Sequence, residues 1–195
     1  MKLLVLSDLH NEFKPFEYRR GSADVGVLAG DIDLGTRALE RARAELGDLP
    51  LIYVAGNHEY YKGERATVDA ELLAQGKALG IEVLQDREVV LGGVRFLGST
   101  LWTDFEADGA SRAQGHLDVS RQSMSDYRLI REGNAPFTPE RSRALFHQSR
   151  RFLAERLDAP FLGKTVVVTH HAPSKRSWPI FALNRSLMAA CVSNL

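Results

Sequence analysis

Four short stretches of this chain hold side chains able to bind a divalent cation. They are Asp8 and His10 in Ser7-Asp8-Leu9-His10, Asp31 in Gly30-Asp31-Ile32-Asp33, Asn57, His58 and Glu59 in Gly56-Asn57-His58-Glu59, and the pair His170-His171. Four of the chain's six histidines fall in them, which marks these stretches as the place to look for chemistry. Carboxylate, imidazole and amide oxygen form a donor set for manganese, iron or zinc, and the absence of thiolate points to a catalytic site rather than a structural zinc. A carboxylate shared by two ions holds them roughly 3.5–4 Å apart, close enough to bind an attacking water and a phosphoryl oxygen together. Gly30 and Gly56 let the backbone turn sharply beside such ions.

What must position these groups is a sheet. Each stretch follows a short, non-alternating apolar run: Leu3–Leu6, Val25–Ala29, Leu51–Val54 and residues 165–169. Runs of that kind read as strands buried on both faces, and in open α/β sheets ligands bind just past the carboxyl ends of the strands. Between the second and third runs, Ala38, Leu39, Ala42 and Leu46 recur at helical spacing, predicting a helix over 36–46 closed by Gly47. A second helix is expected over Arg65–Leu79, ended by Gly80. Residues 81–84, 88–91 and 94–97 read as short extended runs, with Gly92-Gly93 as a hairpin turn, so antiparallel strands join the sheet system. Residues 103–115 are polar and turn-rich and read as a surface loop or lid. Thr138-Pro139 then opens a long helix running to about Leu157, with Leu145, Phe146, Phe152 and Leu153 as its apolar stripe. The last residues, up to Leu195, read as a helix.

The 195 residues are 44% hydrophobic and 26% charged, with 25 basic residues against 25 acidic ones. That length fits one domain spanning residues 1–195, apolar enough to offset its ordering entropy by burial. No run approaches the ~18 apolar residues of a membrane span. The charge balance lacks the basic excess of a dedicated nucleic-acid binder and favours a small phosphate-ester substrate over nucleic acid. A lone Cys191 makes no internal disulfide, which points to the reducing cytoplasm. The apolar start before Asp8 is too short for a signal-peptide core, so the fold begins at residue 1.

Asp8-x-His10, Gly30-Asp31, Gly56-Asn57-His58-Glu59 and the strand ending in His170-His171 resemble, in order and spacing, the motifs of the calcineurin-like metallophosphoesterases. The resemblance covers nearly the whole chain, and Leu101-Trp102-Thr103 with Asp126-Tyr127-Arg128 is similar to a bacterial phosphohydrolase branch of that superfamily. It implies an α/β fold, a β-sandwich of mixed sheets flanked by helices, and a metal-dependent phosphoric ester hydrolase. It further implies that Asp8 and His10 bind a first ion, that Asp31 bridges, and that Asn57 and His170 bind a second. His58 would be catalytic, assisting the leaving oxygen while hydroxide on the metals attacks, and Glu59 would orient His58 or neutralise local charge. His170 is preferred to His171 as ligand because it comes first after the strand. The family's last motif, Gly-His-x-His, is absent from these residues, which removes one expected ligand from each ion and part of the usual C-terminal sheet. Dimerisation or a shortened chain would each account for it.

Taken singly, every feature has an ordinary reading. An aspartate after a strand is commonly a turn or cap residue, Asn57 beside Gly56 a turn former, and a histidine pair a polar strand end. Their joint placement at one sheet edge reverses those odds. Two rivals stay open: a catalytically impaired metal-binding remnant acting as an interaction module, and a nuclease of the same superfamily. His116 and His147 read as solvated, Trp102 as a core or pocket-wall aromatic, Arg128 and Arg131 as surface charges, and Tyr60 and Tyr61 as residues near the crevice mouth.

Overall fold

The computed structural model describes residues 1–177, 185–193 and 195. Four parallel strands, β1 (Leu3–Leu6), β2 (Val25–Ala29), β3 (Leu51–Val54) and β4 (Ile81–Val83), form one sheet in that order. The registers Leu6↔Leu28 and Ala29↔Val54 bring the carboxyl ends of β1, β2 and β3 to the same edge. β2 and β3 are buried on both faces, as continuous apolar runs should be. β1 is not: it is the edge strand, and Val5 is 60% exposed. α1 (Arg37–Leu46) buries Ala38, Leu39, Ala42 and Leu46, and the chain turns out of it through Gly47 at φ 62°. α2 (Arg65–Leu79) ends at Gly80 in the left-handed conformation (φ 64°) that a glycine adopts without steric cost. The Arg43 guanidinium donates to the carbonyls of Leu79 and Gly80 at 2.9 Å each, locking the two helices together at that end.

The hairpin at Gly92-Gly93 joins β5 (Arg87–Leu91) to β6 (Val94–Ser99), and β9 (Lys164–Thr169) adds in parallel to β6, making a second, mixed sheet. Val25, Val27, Ile52 and Val54 of the first sheet pack with Phe96 and Val168 of the second in one apolar cluster, so the sheets form a sandwich. At Gly98 an added Cβ would lie 2.3 Å from Leu84 Cβ, so the sheets approach too closely for any side chain there. β9 is again an edge strand, with Val167 42% exposed. Register Ser99↔Thr169 places the end of β9, and hence His170, beside the chain leaving β6.

Between β6 and the long helix α5 (Pro139–Asp158) lie α3 (Ala113–Ser123), α4 (Asp126–Leu129) and a small hairpin of β7 (Arg131–Glu132) and β8 (Ala135–Pro136). The reading of 103–115 as a surface loop is corrected here: Thr103, Asp104, Phe105 and Ala107 are buried. Their polarity serves local turns. Thr103 Oγ1 accepts from Phe105 N (3.1 Å) and donates to Ala189 O (2.7 Å), while Asp104 Oδ1 accepts from Glu106 N (2.9 Å). His116, expected in solvent, is buried with Nδ1 3.0 Å from Phe105 O; His147 is exposed as expected. The expected C-terminal helix is a single turn, α6 (Arg185–Met188), after which Val192 bridges Ala172; the parts of that reading at 178–184 and 194 lie outside the described residues. No helix among the described residues is long and apolar enough to cross a membrane.

Glu64 joins the start of α2 to the β7–β8 hairpin. Its carboxylate caps α2 by accepting from Ala66 N and Thr67 N, and it also accepts from Gly133 N in the β7–β8 turn. Hydrogen bonds from the Thr67 side chain, from Gly133 and from the Thr67 backbone lower its pKa from 4.5 to about 2. A depressed carboxylate pKa stabilises the fold above the unfolded value and loses that contribution as pH falls through the folded one. Glu64→Ala should therefore cost about 1 kcal/mol at neutral pH, about 2–4 °C in melting temperature. Thermal melts at stepped pH check it: the gap between the proteins should close as pH falls from 4.5 towards about 2, and a gap independent of pH contradicts it.

Candidate metal centre

The loops after β1 and β2 are held against each other by backbone hydrogen bonds that continue past the strands. Asp8 N donates to Gly30 O (3.0 Å), His10 N to Asp31 O (2.9 Å) and Asn11 N to Ile32 O (2.9 Å). Asp8, His10 and Asp31 all sit at positive φ (54°, 47° and 53°), a region costly for residues with a Cβ and concentrated at functional sites. The glycines serve close approach: a Cβ on Gly30 would lie 2.5 Å from His170 Nδ1, and one on Gly56 only 2.2 Å from Asp31 Oδ1.

Glu59 anchors the arrangement. It is fully buried, and both its oxygens are occupied by donors: Oε1 by Ile32 N (2.9 Å) and Tyr53 Oη (2.7 Å), Oε2 by Asp31 N (3.0 Å) and Gly56 N (2.8 Å). Burial and the Asp31 carboxylate push its pKa up, against the pull of these donors. Three of these four partners are backbone amides, which can only donate, so the carboxylate serves chiefly as an acceptor. The expectation that Glu59 orients His58 is thus revised: its bonds go to the two loops flanking Asp31.

Asp31, 4% exposed, is the point on which the other groups converge. His10 Nε2 and His58 Nε2 each lie 3.9 Å from its Oδ2, and His170 Nε2 lies 3.5 Å from its Oδ1. Two sets of potential ligand atoms lie within 4.8 Å of one another: His10, Asp31 and His58, and Asp8, Asp31 and His170. The grouping differs from the family-derived one, which pairs Asp8 with His10; here Asp8 lies with His170, and His10 with His58.

Glu12, which sequence reasoning passed over, controls the first set. Its Oε1 accepts from His58 Nδ1 (2.7 Å) and His10 Nδ1 (3.3 Å). Burial opposes its charge, but the bonds from His58, its own backbone and His10 outweigh burial and hold its pKa below the ordinary value. With both Nδ1 atoms on Glu12, both Nε2 atoms face Asp31. On the other side, His170 Nδ1 donates to Ala29 O (3.1 Å), and its Nε2 lies 3.1 Å from Asn57 Oδ1. The Asn57 amide nitrogen donates instead to Asp126 Oδ1 (3.0 Å), a buried carboxylate of α4. Three acceptors, His170 Nε2, Asn57 Oδ1 and an Asp31 oxygen, thus face one another with no donor among their side chains. Such an arrangement suits a cation placed among the acceptors. This donor set fits a divalent ion.

His171 lies outside the cluster. Its ring stacks on Trp102 (5.4 Å between centroids), and burial, with His170 nearby, pushes its pKa down to about 3, so it is neutral. Tyr60 is buried and donates to Asp69 (2.7 Å), whereas Tyr61 stacks on the His58 ring at 4.2 Å. Arg128 and Arg131 are exposed, and Trp102 is core. The signal for Glu12 was a carboxylate two residues after His10; for Asp126 the sequence offered only its resemblance-bearing Asp-Tyr-Arg stretch.

The family description for calcineurin-like phosphoesterases matches residues 1–185. The chain belongs to that family. It is a metal-dependent phosphoric ester hydrolase. Among solved structures, it is similar to a phosphopantetheinyl hydrolase from Mycobacterium tuberculosis, at 19% identity and a TM-score of 0.74, over 98% of this chain and 75% of that one. At that identity the likeness concerns the fold, which is the mixed-sheet sandwich described above. A search of curated proteins returns no match.

Because Glu59 satisfies four donors, Glu59→Leu should orphan three buried backbone N–H groups and a hydroxyl, destabilising the phosphoesterase by about 3 kcal/mol or more. Urea unfolding measures it; a loss below about 1 kcal/mol contradicts the anchoring role.

Proposed function

We propose that the chain hydrolyses a phosphate mono- or diester at a dinuclear centre held by Asp8, His10, Asp31, Asn57 and His170, with Asp31 shared by both ions. The observation that carries this reading is the convergence of three imidazoles on Asp31 from opposite sides, at 3.5–3.9 Å. Bound divalent ions supply Lewis acidity and lower the pKa of water towards neutrality. Everything else is the protein's part.

Asp8 is exposed and His10 half-buried, so these two stand at the solvent side, while Asp31 and His170 close the floor. We assign His58 as general acid. Its Nδ1 is held by Glu12, and Tyr61 stacked on its face fixes the ring plane. The Nε2 proton then goes to the ester oxygen as its bond to phosphorus breaks. Phe13, 78% exposed and 6.4 Å from the His58 ring, forms the wall on which the leaving group enters. Manganese as the native metal, cytoplasmic location and self-association complete the proposal; the N/O donor set and the lone Cys191 support the first two.

His58→Ala should keep its metal and lose about 10²–10⁴-fold in turnover on an aryl phosphate; metal analysis beside steady-state assays checks it, and parallel loss of metal would make His58 a ligand. Asp31→Asn should empty both positions, and full metal occupancy in that variant would refute the shared carboxylate.

A further inference from the structure

We propose that Asp126 is a positioning residue that keeps Asn57 turned as a metal ligand and couples that ligand to His58; the inference rests on the proposed metal centre. Asp126 stands 69 residues from Asn57 in the chain and is 2% exposed. Its Oδ1 accepts two hydrogen bonds, from Asn57 Nδ2 (3.0 Å) and from Tyr61 Oη (2.6 Å). An asparagine amide has two orientations related by a half-turn about its last bond, and their contacts here are opposite in sign. As observed, nitrogen faces Asp126 and oxygen faces His170 Nε2. Turned over, the nitrogen would donate to the lone pair of His170, filling the space a cation needs, and the oxygen would press on the Asp126 carboxylate. Asp126 therefore excludes the orientation that would close the site in the absence of metal.

The second arm runs through Tyr61. Its hydroxyl shares the Asp126 oxygen, and its ring stacks on His58 at 4.2 Å with 29° between planes. One buried oxygen thus sets both the Asn57 amide and the plane of the His58 ring. Backbone hydrogen bonds fix α4 in place: Lys62 N donates to Leu129 O (2.8 Å) and Arg131 N to Gly63 O (3.0 Å), bonding the turn after Tyr61 to the segment carrying Asp126.

The test is manganese binding by the full chain, followed by calorimetry and by the electron paramagnetic resonance of free Mn²⁺, for the wild type and for Asp126→Leu, Asp126→Ser, Asp126→Asn and Tyr61→Phe. Asp126→Leu should bind about 10–100-fold more weakly at one position. Asp126→Ser, whose hydroxyl does not reach Asn57, should lose the same and serves if the leucine variant does not fold. Asp126→Asn retains a carbonyl oxygen for both donors and should restore most of the affinity, a rescue that a merely space-filling role would not show. Tyr61→Phe removes the longer bond from Asn57 Nδ2 to Tyr61 Oη (3.3 Å) and keeps the one to Asp126, so manganese affinity should fall less than in Asp126→Leu while kcat falls with KM little changed. Wild-type affinity and stoichiometry in folded Asp126→Leu or Asp126→Ser overturn the proposal while leaving the metal centre standing. Absence of manganese binding by the wild type overturns the metal centre itself, and this role with it.

Discussion

The buried Glu59 carboxylate is the constraint on which the site depends. It stitches the loop after β2 to the loop after β3 through three backbone amides and the Tyr53 hydroxyl. Without it, the peptide groups around Asp31 would have no partners in a dry interior, at about 1–3 kcal/mol for each orphaned group. With it, the Asp31 backbone is fixed at φ 53° and its carboxylate projects to where β1, β3 and β9 end. A buried charge thereby serves geometry, and stability is the means.

The strained backbone follows the same logic. Three candidate ligands at positive φ cost of order 1–2 kcal/mol each. The apolar layer between the sheets and the core beneath α1 and α2 supply the offsetting burial. The acceptors gathered around Asp31 repel one another until a cation enters, so the fold holds open a site it does not itself satisfy. Surrounding groups divide the labour by atom: Glu12, Ala29 O and Asp126 hold the outward nitrogens of His10, His58, His170 and Asn57, turning the three Nε2 atoms and the Asn57 oxygen inward.

How much of this was legible beforehand follows from the range of each interaction. β2, β3, α1 and α2 announced themselves because hydrophobic period and glycine stops are local signals, and the runs ending at residues 6, 29 and 54 placed three motif stretches at one sheet edge. The run ending at 169 lies in the second sheet, so His170 reaches that edge from across the sandwich rather than from a fourth strand beside it. That β1 and β9 are edge strands was hidden, since an apolar run does not say which neighbours it lacks. The 103–107 segment was misread because Thr103 and Asp104 are polar for internal turns rather than for solvent. The roles of Glu12 and Asp126 escaped because the shorter bond of Glu12 goes to His58, 46 residues away, and Asp126 meets Asn57 from 69 residues away. The ordering of donors and acceptors around the centre is a tertiary fact, and no spacing rule encodes it.

The most direct measurement is anomalous diffraction from crystals of the protein grown with manganese. The account requires two peaks about 3.5–4 Å apart on either side of the Asp31 carboxylate, one toward His10 and one toward Asn57 and His170. A single peak, or density remote from Asp31, would contradict it.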